Sequence, residues 1–522
     1  MTNSMQGIYS PLPQSLSDSD SDKEISMEPI CDNYRKKTAP VYRQNGHSIQ
    51  IKDDIIKIKR GASKMSTTRK VAFVCSIILC FLPIIIFLWV LPCSELHTCP
   101  VKIKDWTYQQ EDVELVGEIH LVDGLYKTNL NLAILYKGSY HSPKLLKHGV
   151  LSFIGTTGAV AWDFQQETEP HQMNCTVIDV DSNGNFDCLV VDDKGLKAIE
   201  TVSGQALWHA HSAEEKKTVR DLSLPVAIPD LNNDGVDELL SVFERKSFLV
   251  LSGKTGRALA YIQVPGCVEI SKLFLNVHLR YLCKNGTLYE VTIDAIQKFI
   301  ADSRFKISPH KINYGINENV YMAGNMRLTV TNGEDCPKCR SIITLTDENN
   351  KLVKSWPFDN AYILDPKFLF FDSAKTKSDS SKGRVNGFIV KIWQWSERYR
   401  KLRPSARIHK RNVLMINVNE TYFVREISER VALVMLNDTN NIINVSYTEI
   451  SQICDGNSDN CQPSYANQKD SLLIADIDRD GSKELVSYYS TYLKKNDDWR
   501  LISYLKVLRL EEELPKLYGA KK

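Results

Sequence analysis

Apolar and polar positions divide the 522-residue chain into stretches of different kind. Large apolar residues are sparse over the first seventy positions, and Ser15 to Glu24 reads S-L-S-D-S-D-S-D-K-E. Such a segment cannot bury enough apolar surface to offset chain entropy, so residues 1–70 are expected to be a disordered tail. From Val71 to Leu91 the pattern inverts to an almost wholly apolar, uncharged run with Pro83 inside it and Trp89 near one end. A run of about twenty such residues spans a bilayer as one helix, tolerates proline and favours an interfacial ring. It starts too far from the N-terminus for a cleaved signal peptide. Residues 92–104 then form a short stalk. From 105 to 522 short apolar runs recur, among them Leu151 to Ile154, Leu189-Val190-Val191, Phe248 to Leu251 and Leu485-Val486. Runs of this length bounded by turn residues predict buried strands, and no amphipathic helix of convincing length interrupts them.

Two phrases repeat among these strands. The first is acidic. Asp179, Asp181, Asn183 and Asp187 occupy positions one, three, five and nine of a loop with Gly184 at six. The pattern returns as Asp230, Asn232, Asp234, Gly235 and Glu238, and as Asp476, Asp478, Asp480, Gly481 and Glu484. Position seven, held by Asn185, Val236 and Ser482, completes each set. Hard cations such as Ca²⁺ take several oxygen ligands from one sharply bent loop. An EF-hand would close on Glu at position twelve, where this chain has Val190, Ser241 and Ser487. The loops therefore read as strand–Ca²⁺ loop–strand, with glycine expected where a Cβ would crowd the bend. By carboxylate count the third loop, with four against three, is expected to bind most tightly. A further copy has decayed: Asp123, Leu125, Lys127 and Asn131 stand at one, three, five and nine, and the Lys127 ammonium is expected in place of the cation.

The second phrase is a glycine turn leading to a large ring: Gly158 to Trp162, Gly204 to Trp208 and, without the ring, Gly256 to Ala260. Strand, tight turn and strand ending in a ring give the outer hairpin of a propeller blade, with tryptophan filling the space between sheets. The spacing of these glycines and the length beyond the apolar run predict an all-β propeller of about seven or eight blades.

Composition then sets the compartment. The formal net charge of +2 argues against a dedicated nucleic-acid binder. Lys57, Lys59, Arg60, Lys64, Arg69 and Lys70 precede the apolar run, which places the N-terminus in the cytoplasm and the rest outside it or in a lumen. N-x-S/T sequons at Asn174, Asn285, Asn419, Asn437 and Asn444 all follow the run. So do Cys93, Cys99, Cys175, Cys188, Cys267, Cys283, Cys336, Cys339, Cys454 and Cys461. An oxidising compartment would pair them, and neighbours suggest five local bridges, although spacing alone does not fix connectivity. Cys175–Cys188 would staple the strands flanking the first acidic loop. Cys336-Pro337-Lys338-Cys339 has the form of a redox motif, but the β-branched run behind it favours a structural bridge.

The acidic loops resemble the FG-GAP repeat of integrin alpha chains. The order of tail, single span, D-x-N-x-D-G loops and G-x-x-x-W hairpins resembles the integrin-alpha FG-GAP repeat-containing family of single-pass type II proteins, a vertebrate pair of "family with sequence similarity" paralogues. The resemblance implies membrane topology and fold. The resulting expectation is a non-enzymatic protein at the cell surface or on secretory or endosomal membranes, whose Ca²⁺-stabilised propeller binds a protein ligand or co-receptor. Tyr9 and Leu12 have the form of an adaptor-binding sorting signal, so a sorting or folding escort for other glycoproteins is the alternative, and a quinoprotein-like enzyme a third.

Overall fold

A computed structural model describes residues 66–81 in part and residues 104–510, apart from 126–129, 141–146, 215–216, 265, 276, 303, 313–319, 335, 372–384, 402–421, 437–439, 457–459 and 496–497. Residues 370–371, 385–386 and 397–401 are described in backbone only. The chain divides into two compact units, Met1–Ile85 and Ile86–Lys522. In the first, the described residues between 67 and 81 are helical, and Val71, Phe73, Ile77, Leu79 and Phe81 are exposed. No helix among the described residues is long and apolar enough to cross a membrane. The expected span beyond residue 81, the tail with Tyr9 and Leu12, and Cys93 and Cys99 lie outside the described residues.

Among its described residues the second unit contains seven antiparallel sheets. Blade 1 runs Val113–Asp123, Leu130–Gly138, His148–Ile154 and Val160–Gln166; blade 2 runs Pro170–Ile178, Asp187–Asp192, Gly195–Ile199 and Ala206–His209. Blade 3 is Val226–Ile228, Glu238–Phe243, Ser247–Leu251 and Ala258–Gln263, and blade 4 is Ile270–Leu275, Leu279–Cys283, Leu288–Val291 and His310–Ile312. Blade 5 comprises Val320–Ala323, Met326–Thr331, Arg340–Thr346 and Leu352–Asp359. Blade 6 is a six-stranded sheet built on the long strands Val385–Lys401, Tyr422–Met435 and Ile442–Asp455. In blade 7 the strands Leu472–Ala475, Glu484–Lys495 and Asp498–Arg509 are joined by the N-terminal strand Trp106–Glu111. Its register runs from Trp106↔Val507 to Glu111↔Ile502, so the first and last of these strands share one sheet.

The core lies between sheets, as expected where each strand alternates its side chains between two neighbours. Buried clusters join blades 1 and 2 through Val190 and Leu135, blades 2 and 3 through Leu189 and Leu249, and blades 3 and 4 through Val250 and Tyr281. Others join blades 5 and 6 through Ile343 and Val390, blades 6 and 7 through Leu433 and Leu485, and blades 7 and 1 through Tyr488 and Leu115. The expected absence of a helix is corrected: Ile293–Ala301 is an amphipathic helix inside blade 4 that buries Ile296. Thr292 caps it by accepting from the Ala295 N–H, the role hydroxyl side chains commonly fill.

The tryptophans stitch successive sheets. Trp106 of blade 7 donates its indole N–H to Gly155 O in blade 1 at 2.9 Å. Trp162 of blade 1 donates to Thr201 O in blade 2 at 2.7 Å, and Trp208 of blade 2 to Gly253 O in blade 3 at 2.8 Å. Gly204 faces the Trp162 ring with φ +73°, and a Cβ there would lie 2.6 Å from it. Trp356 of blade 5 packs against the cluster of blades 5 and 6.

Four bridges stand as neighbour pairing suggests: Cys175–Cys188, Cys267–Cys283, Cys336–Cys339 and Cys454–Cys461. Of the sequons, Asn285 sits exposed in a turn of blade 4 and Asn444 exposed on blade 6. Asn174 is half-buried, its Oδ1 accepting from the Thr176 N–H and hydroxyl, both at 2.9 Å. Asn419 and Asn437 lie outside the described residues.

Candidate metal loops

The three acidic loops connect the first and second strands of blades 2, 3 and 7. They share one backbone frame. Position four is left-handed in each, at Ser182, Asn233 and Arg479 with φ +59°, +60° and +56°. Position six follows at Gly184, Gly235 and Gly481 with φ +89°, +88° and +89°. A Cβ at these glycines would meet nothing within 4 Å, which corrects the expectation of crowding: the dihedral requires glycine, not the space.

Hydrogen bonds fix the frame. The position-one carboxylate accepts the glycine N–H each time: Gly184 to Asp179 at 2.8 Å, Gly235 to Asp230 at 2.9 Å, Gly481 to Asp476 at 3.0 Å. The position-nine carboxylate reaches back to the N–H of position two. Val180 donates to Asp187 at 2.8 Å, Ile477 to Glu484 at 3.0 Å, and Leu231 to Glu238. That bond aims the apolar side chain of position two into the seam with the next blade. Val180 packs on blade 3, Leu231 against the cluster shared with blade 4, and Ile477 on blade 1. Loop shape and blade docking are thus one arrangement.

The second oxygen of each position-nine carboxylate tests whether a cation fits. Asp187, Glu238 and Glu484 are fully buried. Their Oδ1 and Oε1 atoms, with Asp476 Oδ1, lack a hydrogen-bond partner among the described residues. A buried carboxylate oxygen without a partner is costly, and a bound cation would satisfy it. Ligand atoms of Asp179, Asp181 and Asp187 lie within 4.8 Å of one another, as do those of Asp476, Asp478 and Glu484. Burial first, then neighbouring carboxylates, pushes Asp187 and Glu484 up to about 7. Glu238 is raised by burial, whereas the Gly235 N–H holds Asp230 below its ordinary value. The remaining positions of the sets, Asn183, Asn185, Asn232, Asp234, Val236, Asp480 and Ser482, lie on the same three turns. Asn183 accepts from the Asn185 N–H at 2.8 Å, and Asp234 from the Val236 N–H at 3.0 Å.

Two residues at the sites carried no signal in the loop pattern. Arg509, on the last strand of blade 7, donates to Asp480 and, at 2.7 Å, to Ser482 Oγ. Arg479 donates to Asp123 Oδ1, position one of the decayed loop, at 3.2 Å. Lys127 lies outside the described residues; among the described residues, Arg479 brings a guanidinium from the neighbouring blade to Asp123.

Seven sheets closed by a shared terminal strand and stitched by tryptophans define the molecule as a β-propeller. Its residues 140–296 match the sequence profile described as the FAM234A/B beta-propeller. The chain is 24% identical over 253 residues to Protein FAM234A of Rattus norvegicus, covering 45% of this chain and 44% of that protein. It is 22% identical over 262 residues to Protein FAM234B of Gallus gallus, covering 47% of this chain and 40% of that protein. It thus spans less than half the length of these relatives. Over these stretches the chain is similar to the FAM234A/B β-propeller proteins. Among solved structures, the computationally designed Ika8 protein aligns at 12% identity over 77% of this chain and 99% of its own, with a TM-score of 0.28. Sqt1 of Saccharomyces cerevisiae aligns at 10% identity over 77% and 98%, also with a TM-score of 0.28.

Proposed function

We propose that the chain is a Ca²⁺-stabilised β-propeller binding module, carried on a single-pass type II anchor and presenting its propeller to protein partners outside the cytoplasm. One observation carries the calcium part: three loops of matched geometry, each ending in a buried carboxylate with one oxygen unmatched. Asp179, Asp181, Asn183, Asn185 and Asp187 would hold one ion; Asp230, Asn232, Asp234, Val236 and Glu238 a second; Asp476, Asp478, Asp480, Ser482 and Glu484 a third. The ion supplies positive charge that neutralises these carboxylates and rigidifies the turn. No reaction is assigned, because the carboxylates serve as ligands and as acceptors for backbone N–H groups. Modules of this kind outside the cell bind Ca²⁺ at roughly 10⁻⁴–10⁻³ M, which suits standing saturation there.

The anchor reading rests on the apolar run 71–91, on its basic N-terminal flank and on the exposed apolar side chains of the helical residues near 71–81. Membrane lipid would cover such side chains. The partner reading rests on the propeller, a rigid ring whose connecting loops are free to vary and to bind.

The test is affinity capture with the full chain on intact cells, in Ca²⁺ and in chelator. Surface or lumenal proteins retained in Ca²⁺ and released by chelator support the reading. Identical capture in both, or capture of cytosolic transport machinery alone, overturns it.

A further inference from the structure

The three loops share a frame but not a neighbour. Arg509 stands opposite position nine of the third loop, in register with Glu484. One step beyond Cys188↔Ile199 in blade 2 and Leu239↔Leu251 in blade 3, the same register position holds Glu200 and Ser252. The side chain at that register position is therefore anionic in blade 2, neutral in blade 3 and cationic in blade 7.

Arg509 is 3% exposed. Its guanidinium donates to Asp480 Oδ2 and to Ser482 Oγ. The Ser482 N–H and hydroxyl occupy Asp480 Oδ1 at 2.8 and 2.6 Å. Both oxygens of the position-five ligand are thus engaged, one of them by a full positive charge. In the second loop the corresponding Asp234 carboxylate accepts from the Val236 N–H and the Ser252 hydroxyl, while the Lys254 ammonium donates to the Asp234 backbone carbonyl at 2.9 Å and leaves the carboxylate oxygens to neutral donors. In the first, Asn183 accepts from the Asn185 N–H. The same third loop also sends Arg479 to Asp123 at 3.2 Å, across the seam where the ring closes.

We infer that Arg509 is a resident cation of the third loop. It holds Asp476–Glu484 in shape without metal and makes that loop bind Ca²⁺ more weakly than the loops at Asp179 and Asp230. This reverses the order that carboxylate counting predicts, since the fourth carboxylate is matched by the arginine. Like charges at close range oppose a second cation, and a guanidinium–carboxylate pair is a strong, geometrically fixed one. Closure of blade 7 on blade 1 then stays independent of Ca²⁺, while blades 2 and 3 respond to it.

The inference rests on the calcium reading above, and calorimetric titration of CaCl₂ into the chelator-treated full chain separates the two. Two sites of one affinity class are expected in the wild type, with a third at least tenfold weaker. Asp181→Asn removes a site from the tight class, Asp478→Asn alters only the weak phase, and Arg509→Gln brings the third site into the tight class. Amide hydrogen exchange of the wild type in chelator gives a readout that needs no variant. Ile477 and Gly481 stay protected, whereas Val180 and Gly184 exchange at least tenfold faster than in Ca²⁺. Three equal sites in the wild type, or equal loss of protection in all loops, overturns the role of Arg509. Absence of any Ca²⁺ uptake by the wild type overturns the calcium reading itself, and the inference with it.

Discussion

If the tryptophan stitches hold the blades together, one added methyl group at Gly204 should reveal it. Two costs are expected for Gly204→Ala. The residue has φ +73°, and a left-handed L-residue costs about 1–2 kcal/mol. The new Cβ would also lie 2.6 Å from the Trp162 ring, and that ring is pinned by its 2.7 Å bond to Thr201 O. Overpacking of this kind adds about 1–3 kcal/mol. Gly324→Ala is the control, because Gly324 has φ +58° and nothing within 4 Å of a Cβ; it should show the backbone cost alone. Urea unfolding of both variants in saturating Ca²⁺ measures the difference, with the slope checked for loss of two-state behaviour. Combining Gly204→Ala with Trp162→Leu should recover about 1–3 kcal/mol of coupling in a double-mutant cycle. Equal costs at the two glycines, or strict additivity with Trp162→Leu, would refute the stitch.

The pH response of the loops follows from their burial. Burial pushes the Asp187 and Glu484 carboxyls up to about 7, above their ordinary 3.8 and 4.5. Groups raised in the folded state add stability that is complete below the unfolded pKa and is lost as pH rises through the folded one. These two carboxyls therefore favour the chelated protein at pH 5.5 over pH 8, whereas His120, His148 and His209, whose pKa values burial lowers, favour the higher pH. The loop contribution is isolated by scanning calorimetry in chelator of the wild type against Asp187→Asn with Glu484→Gln. The wild type is expected to lose more Tm between pH 5.5 and pH 8 than the double variant, and an equal or smaller loss contradicts the sign. Ca²⁺ affinity of the wild type rises between those values because the ligands must ionise, and titration at each pH checks it. The buried pair of blade 6 offers a separate test. Lys391, fully buried and with its pKa lowered by that burial, donates to Tyr488 O at 2.6 Å and lies 3.4 Å from Glu429. Trp393 donates to the same carboxylate at 2.7 Å. Glu429→Gln alone should cost about 3–5 kcal/mol, because it strands a buried ammonium. Glu429→Gln with Lys391→Met should return to within about 1 kcal/mol of the wild type in urea unfolding, and an undiminished loss would show that the charge pair is not the cause.

The features legible in the sequence are those whose partners are close along the chain. Loop ligands span nine residues, the bridges join neighbouring cysteines, and the glycine hairpins carry their own turn, so local spacing exposes all three. Arg509 is different: it meets Asp480 through a strand pairing, and no spacing rule marks it. Arg479 sits inside a loop whose pattern says nothing of Asp123, because that contact crosses from blade 7 to blade 1. The strand Trp106–Glu111 escaped for the same reason, its partners being residues 502–507. The helix Ile293–Ala301 was signalled by Thr292 at its cap, Asp294 in its first turn and apolar residues at 293, 296 and 300, but nine residues between strands make a faint period. The long strands of blade 6, with shifts of register at Trp395/Tyr399 and Val431/Ala432, break the even spacing that betrays the other blades.

The pairing of Trp106 with Val507 also has a consequence during synthesis. The first strand leaves the ribosome about 400 residues before its partner exists, a delay of roughly 20–80 s at ordinary elongation rates. Throughout that interval it is an exposed edge, and its indole has no seam to enter. Six sheets are able to assemble as they emerge, but the last waits for the strand Asp498–Arg509. A nascent chain arrested before Leu501 would therefore carry an open, adhesive margin for chaperones to recognise, which makes this joint a checkpoint for completeness.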